Sequence, residues 1–332
     1  MSITTINEGQ GTLEQSDLQL DENGLLRHLL TLQGMDPVQL EAILDRGEEF
    51  LTKPGAPAAR SNALAGMTVA NLFIENSTRT RVSFELAAKR LGADVVNLNL
   101  NTSSAVKGES IVDMIYTLQA MQVDMFVVRD HQPGTQAMIA QHVDAYVSVL
   151  NAGEANVSHP TQGLLDLLTI RRHKGRFEEL TVAIVGDIAH SRVAMSTSAG
   201  LAALGVGELR LISPPELVPN NVTNAKIMTD IDEGVTNADV VMALRIQKER
   251  FADKAGIPDG DEYFRAYGID EQRMKLAAKD AIVMHPGPMN RGIEIDSSVA
   301  DGPQSVIREQ VSNGVAVRMA ILELLAQNRR IA

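Results

Sequence analysis

Short apolar runs alternate with longer stretches of helical period over most of the chain. The runs fall at residues 68–74, 93–98, 124–128 and 146–150, and again at 181–185, 208–212, 239–244 and 281–284. Strands that alternate with helices imply parallel, doubly wound sheets. Two sets of four strands predict two α/β domains, joined by a helix over 163–173. Asp36-Pro37 opens an earlier helix: Asp36 suits the cap, Pro37 the first helical position, and Gln39 a capping-box-like third position. Its buried stripe is Leu40, Ile43, Leu44, Gly47, Phe50 and Leu51, and Pro54-Gly55-Ala56-Pro57 ends it. A last amphipathic helix carries Val311, Val315, Met319, Leu322 and Leu325 on one face. The expected division is a first domain over 35–170, a second over 171–304, and a C-terminal helix, 305–330, that returns to the first. Residues 1–34 are polar and hold Glu8, Glu14, Asp17, Asp21 and Glu22. They read as an extension, mobile over its first twenty residues.

Composition narrows the chemistry. The 332 residues suffice for two cores. The chain is 44% hydrophobic and 22% charged, with mean hydropathy −0.04, as in ordinary globular proteins. No apolar run reaches the ~20 residues of a membrane helix. Lys and Arg are absent before Arg27 and residues 1–26 hold no apolar block, so neither a secretory signal nor a transit peptide is expected. The absence of cysteine removes disulfides, thiolate nucleophiles and Cys-ligated zinc, and with the features above favours the cytoplasm. A net charge of −12 argues against nucleic acid, which demands a basic face. No short-period repeat is present.

In open parallel sheets, ligands bind beyond the carboxyl ends of the strands. After the first run comes Glu75-Asn76-Ser77-Thr78-Arg79-Thr80-Arg81, entering a helix. After the second comes 101–110, with Ser103 and Lys107. The third ends at Arg129, and the fourth leads to His159-Pro160-Thr161-Gln162. A helix's first turn has unpaired N–H groups and partial positive charge, which together favour phosphate. Arg79 can add a bidentate, charge-assisted pair. The competing reading is a Ser77 cap with surface arginines, but basic residues there oppose the helix dipole unless an anion compensates. In the second half, Arg192 and Arg245-Ile246-Gln247 follow strands, and His285-Pro286-Gly287-Pro288 follows the last. Two arginines at two strand ends suit a ligand with two carboxylates. Each taken alone could equally be a surface arginine in a βα loop. Dinucleotide, P-loop, zinc-protease and nucleophile-elbow motifs are absent, and the seven histidines do not cluster at metal-ligand spacing. Chemistry without cofactor, metal or covalent intermediate remains.

The ordered set Ser77-Thr78-Arg79-Thr80-Arg81, Ser103…Lys107-Gly108-Glu109, Arg129, His159-Pro160-Thr161-Gln162, Arg192, Arg245-x-Gln247 and His285-Pro286-x-Pro288 resembles the carbamoyltransferase family. The resemblance implies two doubly wound domains with the site between them. In its aspartate-using branch, the carbamoyl group passes from carbamoyl phosphate to the amine of aspartate, a step of pyrimidine synthesis. It implies that Ser77, Thr78, Arg79, Thr80 and Arg129 hold phosphate, and that Thr80, Arg129 and His159 polarise the carbamoyl carbonyl. Gln162 and the backbone at Pro286, Gly287 and Pro288 would hold its amide, and Lys107, Arg192, Arg245 and Gln247 would hold aspartate. Ser103 and Lys107 would enter from a neighbouring subunit of a homotrimer. The late motif and the polar N-terminus resemble the branch that assembles with a dihydroorotase-like chain. The chain departs from many members at Gly287, where they carry Leu, and at Val106, where they carry a second basic residue. The alternatives are an ornithine or other amino-acid carbamoyltransferase and a non-catalytic assembly chain. The first usually has Ser-Met-Gly where Arg245-Ile246-Gln247 stands and a late cysteine, and the second should lack site residues.

Overall fold

A computed structural model describes residues 15, 17–53, 55–98, 110–219, 224–246 and 260–331. The first domain runs α1 (Pro37–Glu49), β1 (Thr68–Phe73), α2 (Thr78–Arg90), β2 (Asp94–Leu98), α3 (Ile111–Ala120), β3 (Met125–Asp130), α4 (Thr135–His142) and β4 (Ser148–Glu154). Helix α5 (Pro160–Lys174) leads to the second domain. That domain holds β5 (Thr181–Val185), α6 (Arg192–Ala203), β6 (Glu208–Ile212), β7 (Lys226–Met228), α7 (Ile231–Val235), β8 (Val240–Ala243), α8 (Gly260–Tyr267), α9 (Glu271–Met274), β9 (Ile282–Met284) and α10 (Ser297–Ala300). Helix α11 (Ile307–Ile331) closes the chain and packs on α1, α2 and α5.

Among the described residues the strands form two sheets, ordered β2-β1-β3-β4 and β7-β6-β5-β8-β9, with every pair parallel. Strand order reverses between β1 and β3 and between β5 and β8. Such switch points open crevices at the carboxyl ends of the strands. Helix α1 forms as its sequence suggests: Pro37 occupies the first position and the Asp36 carboxylate accepts the Val38 N–H at 2.8 Å. The two domains share one apolar core, with Leu164, Leu167 and Leu168 of α5, Leu201 of α6, Ile184 of β5 and Leu322 of α11 all buried. Helices α5 and α6 cross closely enough that a Cβ on Gly163 would lie 3.0 Å from the Ser196 carbonyl group.

Three expectations shift. Strand β7 lies outside the predicted eight, because three residues on a sheet edge, two of them exposed, carry too little pattern to register. Strand β4 begins at Ser148 and ends at Glu154 rather than spanning 146–150. Asp144–Val147 form a turn, and the strand's later positions include buried polar residues, Asn151 and Glu154. The largest shift concerns the N-terminal extension. Residues 17–34 belong to the first domain, with Leu26, Leu29, Leu30 and Leu32 buried. Leu29 bridges to Leu150 of β4, Gln19 Oε1 accepts the N–H groups of Leu30 and Thr31, and Asn151 Nδ2 donates to the Leu30 carbonyl. Leu26, Leu29 and Leu30 stand at helical spacing, yet the segment forms no helix and buries these leucines in tertiary contacts instead. Residues 1–14 and 16 lie outside the described residues.

Leu29→Ala is therefore expected to lower stability by about 2–5 kcal/mol, the usual cost of a buried Leu truncation. A chemical denaturation midpoint measures it; a segment outside the fold would leave the midpoint unmoved.

Candidate active site between the domains

The strand ends of both domains face one cleft of about 670 Å³. Ser77, Arg79, Thr80, Arg129, His159 and Gln162 line it from the first domain, with Arg192, Arg245, Pro286, Gly287 and Pro288 opposite. Thr78, the first residue of α2, has an exposed side chain and does not form the wall. Ser103, Lys107 and Gln247 lie outside the described residues.

The switch point of the first sheet explains the grouping. Phe73 at the end of β1 pairs in register with Arg129 of β3. The next two residues, Ile74 and Glu75, both donate their N–H to the Arg129 carbonyl. The chain then turns into α2. Ser77 occupies its cap position, yet makes no side-chain capping bond. Its hydroxyl is thus not spent on the helix, and the first turn contains Arg79 and Arg81 with no acidic residue. Both features favour an anion over a simple cap. On the far wall Gly287 has φ +67°, and a Cβ there would lie 3.2 Å from the Arg79 guanidinium carbon. The glycine lets Arg79 approach that wall.

Arg245 follows β8, whose extension Leu244 donates its N–H to Val185 at the end of β5. Burial and the nearby Arg245 both lower the Arg79 pKa from its usual value. Two guanidinium groups, one per domain, thus repel across the cleft. An anion between them relieves that repulsion.

Glu75 is the single acidic side chain among the described lining residues. It accepts Arg129 Nη2 at 2.6 Å, and a bidentate pair from Arg192 at 2.8 and 2.7 Å. Arg192 Nη1 also donates to the Ala155 carbonyl at 3.0 Å. Burial pushes the Glu75 carboxyl up, but the two arginines outweigh it and its pKa falls below the usual range.

His159 caps α5, held by its backbone N–H to Ser196 Oγ at 2.8 Å. The structure carries α5 back to Pro160, so Gln162 stands in the helix's first turn rather than ahead of it. His159 is buried, and burial first, then Arg129, Arg192 and Arg318, hold its pKa well below the normal value. The imidazole is neutral at working pH. On the opposite side His285 Nδ1 accepts the Gly287 N–H at 2.8 Å, so its proton sits on Nε2, 3.1 Å from Glu294 Oε1. This local chelate shapes the 285–288 turn.

Sequence reading passed over Glu75, His190, Gln310 and Arg318, all of which line the cleft. Glu75 had a signal, since it directly follows a strand end. His190 had another: it lies in the loop after β5, and its Nδ1 is 2.8 Å from Asp187 Oδ1. Gln310 and Arg318 sit within α11, where no local pattern marks a site. Arg318 is wholly buried, with its guanidinium carbon 4.9 Å from the Phe84 ring centre. Burial and Arg129 push its pKa down to about 9, against the opposing pull of Asp166. No group of three or more potential metal ligands occurs among the described residues.

Comparison with known proteins adds an independent line. Residues 27–172 match the carbamoyl-P binding domain of the aspartate/ornithine carbamoyltransferases, and residues 178–325 match the Asp/Orn binding domain. Among solved structures, aspartate transcarbamoylase from Trypanosoma cruzi in complex with carbamoyl phosphate and aspartate superposes with a TM-score of 0.79 at 31% identity. That match covers 90% of this chain and 96% of the other. Ornithine carbamoyltransferase from Thermus thermophilus gives 0.79 at 26% identity, over 91% and 99%. The Pyrococcus furiosus ornithine enzyme gives 0.79 at 29%, over 90% and 96%. With both domains matched and the strand-end residues gathered in one cleft, the chain belongs to the aspartate/ornithine carbamoyltransferase family of enzymes.

Proposed function

We propose that this enzyme transfers the carbamoyl group of carbamoyl phosphate to the amine of L-aspartate, releasing phosphate and N-carbamoyl-L-aspartate, the chemistry of pyrimidine synthesis. The observation that carries the choice of acceptor is the charge of the cleft. Aspartate brings two carboxylates beside its attacking amine. Arg245 suits one, and Arg192, whose Nη1 and Nη2 already bind Glu75, adds positive charge for the other. Ornithine brings one carboxylate and an ammonium group that needs an anionic partner. The cleft's one described carboxylate, Glu75, is already engaged by two arginines.

In this reading the phosphate lies at the start of α2, held by the first-turn N–H groups, that of Thr78 among them, by the hydroxyls of Ser77 and Thr80, and by the guanidinium groups of Arg79 and Arg129. The carbamoyl oxygen faces Thr80, Arg129 and His159. The amide faces Gln162 and the backbone carbonyls of Pro286 and Gly287. The neutral amine attacks the carbonyl carbon, a tetrahedral oxyanion forms, and the C–O bond to phosphate breaks. Holding the reactants together and stabilising the oxyanion by preorganised donors supply the rate. A neutral His159 contributes as a hydrogen-bond donor, not as a second charge. Gln247 would join Arg192 and Arg245 on aspartate. Ser103 and Lys107 would complete the cleft from a neighbouring chain, which makes a homotrimer the active unit.

Phosphate release from carbamoyl phosphate is expected with aspartate and not with ornithine; the reverse dependence would assign the ornithine reaction, and no turnover with either would leave another amino-acid acceptor, an inactive assembly chain or a missing partner. Arg79→Ala is expected to lower kcat by about 10²–10³, the scale of one lost preorganised donor. Normal turnover in a folded Arg79→Ala enzyme removes it from the phosphate site. For His159, NMR of the imidazole C–H should show no titration from about pH 5.5 to 8. Its depressed folded-state pKa means that its stabilising contribution is complete above the ordinary value of 6.5 and declines as the pH falls below it.

A further inference from the structure

Asp166 does not line the cleft, yet two residues that do are hydrogen-bonded to it. It lies one helical turn beyond Gln162 on α5 and is completely buried. Its Oδ1 accepts Gln162 Nε2 at 3.0 Å and Gln310 Nε2 at 2.9 Å, and its Oδ2 accepts Thr197 Oγ1 at 2.9 Å. These donors come from α5, α11 and α6. A carboxylate only accepts hydrogen bonds, so it decides which end of each amide turns towards it. Gln162 must give Asp166 its NH2 group and keep Oε1 for the cleft it lines. Gln310 must do the same, and its Oε1 accepts the His285 N–H at 2.9 Å. That bond ties α11 to the start of the Pro286-Gly287-Pro288 turn.

We propose that Asp166 is a positioning residue that makes the carbamoyl end of the site an all-acceptor surface, and thereby selects an NH2-bearing acyl phosphate over one without N–H donors. The proposal rests on the reading above, in which the carbamoyl amide lies against Gln162 and the Pro286 and Gly287 carbonyls. With Oε1 of Gln162 and those carbonyls around it, the pocket matches the two N–H groups of a carbamoyl and offers nothing to the methyl group of an acetyl. A site built to hydrogen-bond an N–H rejects an analogue lacking it by about 10⁴–10⁵-fold. Burial pushes the Asp166 pKa up to about 7, against the pull of Gln310, Thr197, Gln162 and Arg318. The two amide donors at Oδ1 keep that oxygen an acceptor in either protonation state, since a proton on this carboxyl would sit on Oδ2, beside the Thr197 hydroxyl.

The test is Asp166→Asn in the full-length enzyme, which keeps the shape but puts a donor where an acceptor stood. Steady-state kinetics with carbamoyl phosphate and with acetyl phosphate, per titrated active site, give the ratio of their kcat/KM values. The expected result is a ratio at least tenfold lower, through a lower kcat/KM for carbamoyl phosphate, with the aspartate KM at saturating carbamoyl phosphate unchanged. A residue with a merely structural role would lower Tm and the active fraction while leaving the ratio intact, and that result overturns the proposal. Gln162→Ala separates the two layers. If it lowers the ratio and Asp166→Asn does not, the role of Asp166 is wrong. If Gln162→Ala leaves the ratio intact, the placement of the carbamoyl amide is wrong and the proposal falls with it. Should Asp166→Asn fail to fold, Gln310→Met breaks one arm of the network and keeps the carboxylate. It is expected to lower the same ratio several-fold, and an unchanged ratio refutes the proposal.

Discussion

One carboxylate holds the cationic cleft together. Glu75 leaves the end of β1 and binds Arg129 from the neighbouring strand and Arg192 from the start of α6. At an effective dielectric near 20, a unit-charge pair about 4 Å apart attracts by about 4 kcal/mol. The attraction exceeds the cost of burying Glu75, whose carboxyl remains ionised to lower pH than usual. Without that charge, the five arginines of the described lining, Arg79, Arg129, Arg192, Arg245 and Arg318, would share the cleft with no carboxylate among them. With it, Arg129 and Arg192 are fixed in place, while Arg79 and Arg245 stay close enough to repel. The cleft is therefore rigid in position and unbalanced in charge, which is the condition that favours an anionic ligand.

That arrangement depends on how the domains join. Helices α5 and α6 cross with Gly163 against the Ser196 backbone, and the contact that brings them together also serves His159, whose N–H reaches Ser196 Oγ. Packing and the geometry of the cleft wall share atoms here. Helix α11 adds a third element, covering α1, α2 and α5 and bringing Gln310 and Arg318 to the cleft from the far end of the chain. The chain's net charge is −12, yet the described cleft lining sets five arginines against one carboxylate: Arg129 of β3, Arg245 after β8, and Arg79, Arg192 and Arg318 of α2, α6 and α11.

Much of the fold was legible in the chain's pattern. Thr181–Val185 and Glu208–Ile212 form strands over the expected residues, the first as a run of strand formers and the second by its alternation of polar and apolar positions. Strand β4 was legible only in part, since Asn151 and Glu154 are buried polar residues and polarity normally signals exposure. Residues 17–34 were illegible as part of a domain: Leu26, Leu29 and Leu30 sit at helical spacing but form no helix, and Leu29 pairs with β4 instead. At the site, Arg79, Arg129, His159 and Arg192 stood out because they follow strands, and parallel topology carries every strand end to the same side.

The alternation of strands and helices, the carboxyl-end placement of the polar motifs and the acid-free first turn at Ser77–Arg81 were determined by the sequence alone. They depend on local propensity and on one topological rule, and both act over a few residues. Tertiary structure alone decided which charges meet and which polar groups are turned towards the cleft. Glu75 could have been a surface acid until Arg192 arrived from 117 residues away. Gln310 was one helical residue among many until Asp166, 144 residues earlier, fixed its amide. Such choices belong to distances between elements, and no short stretch of sequence contains them.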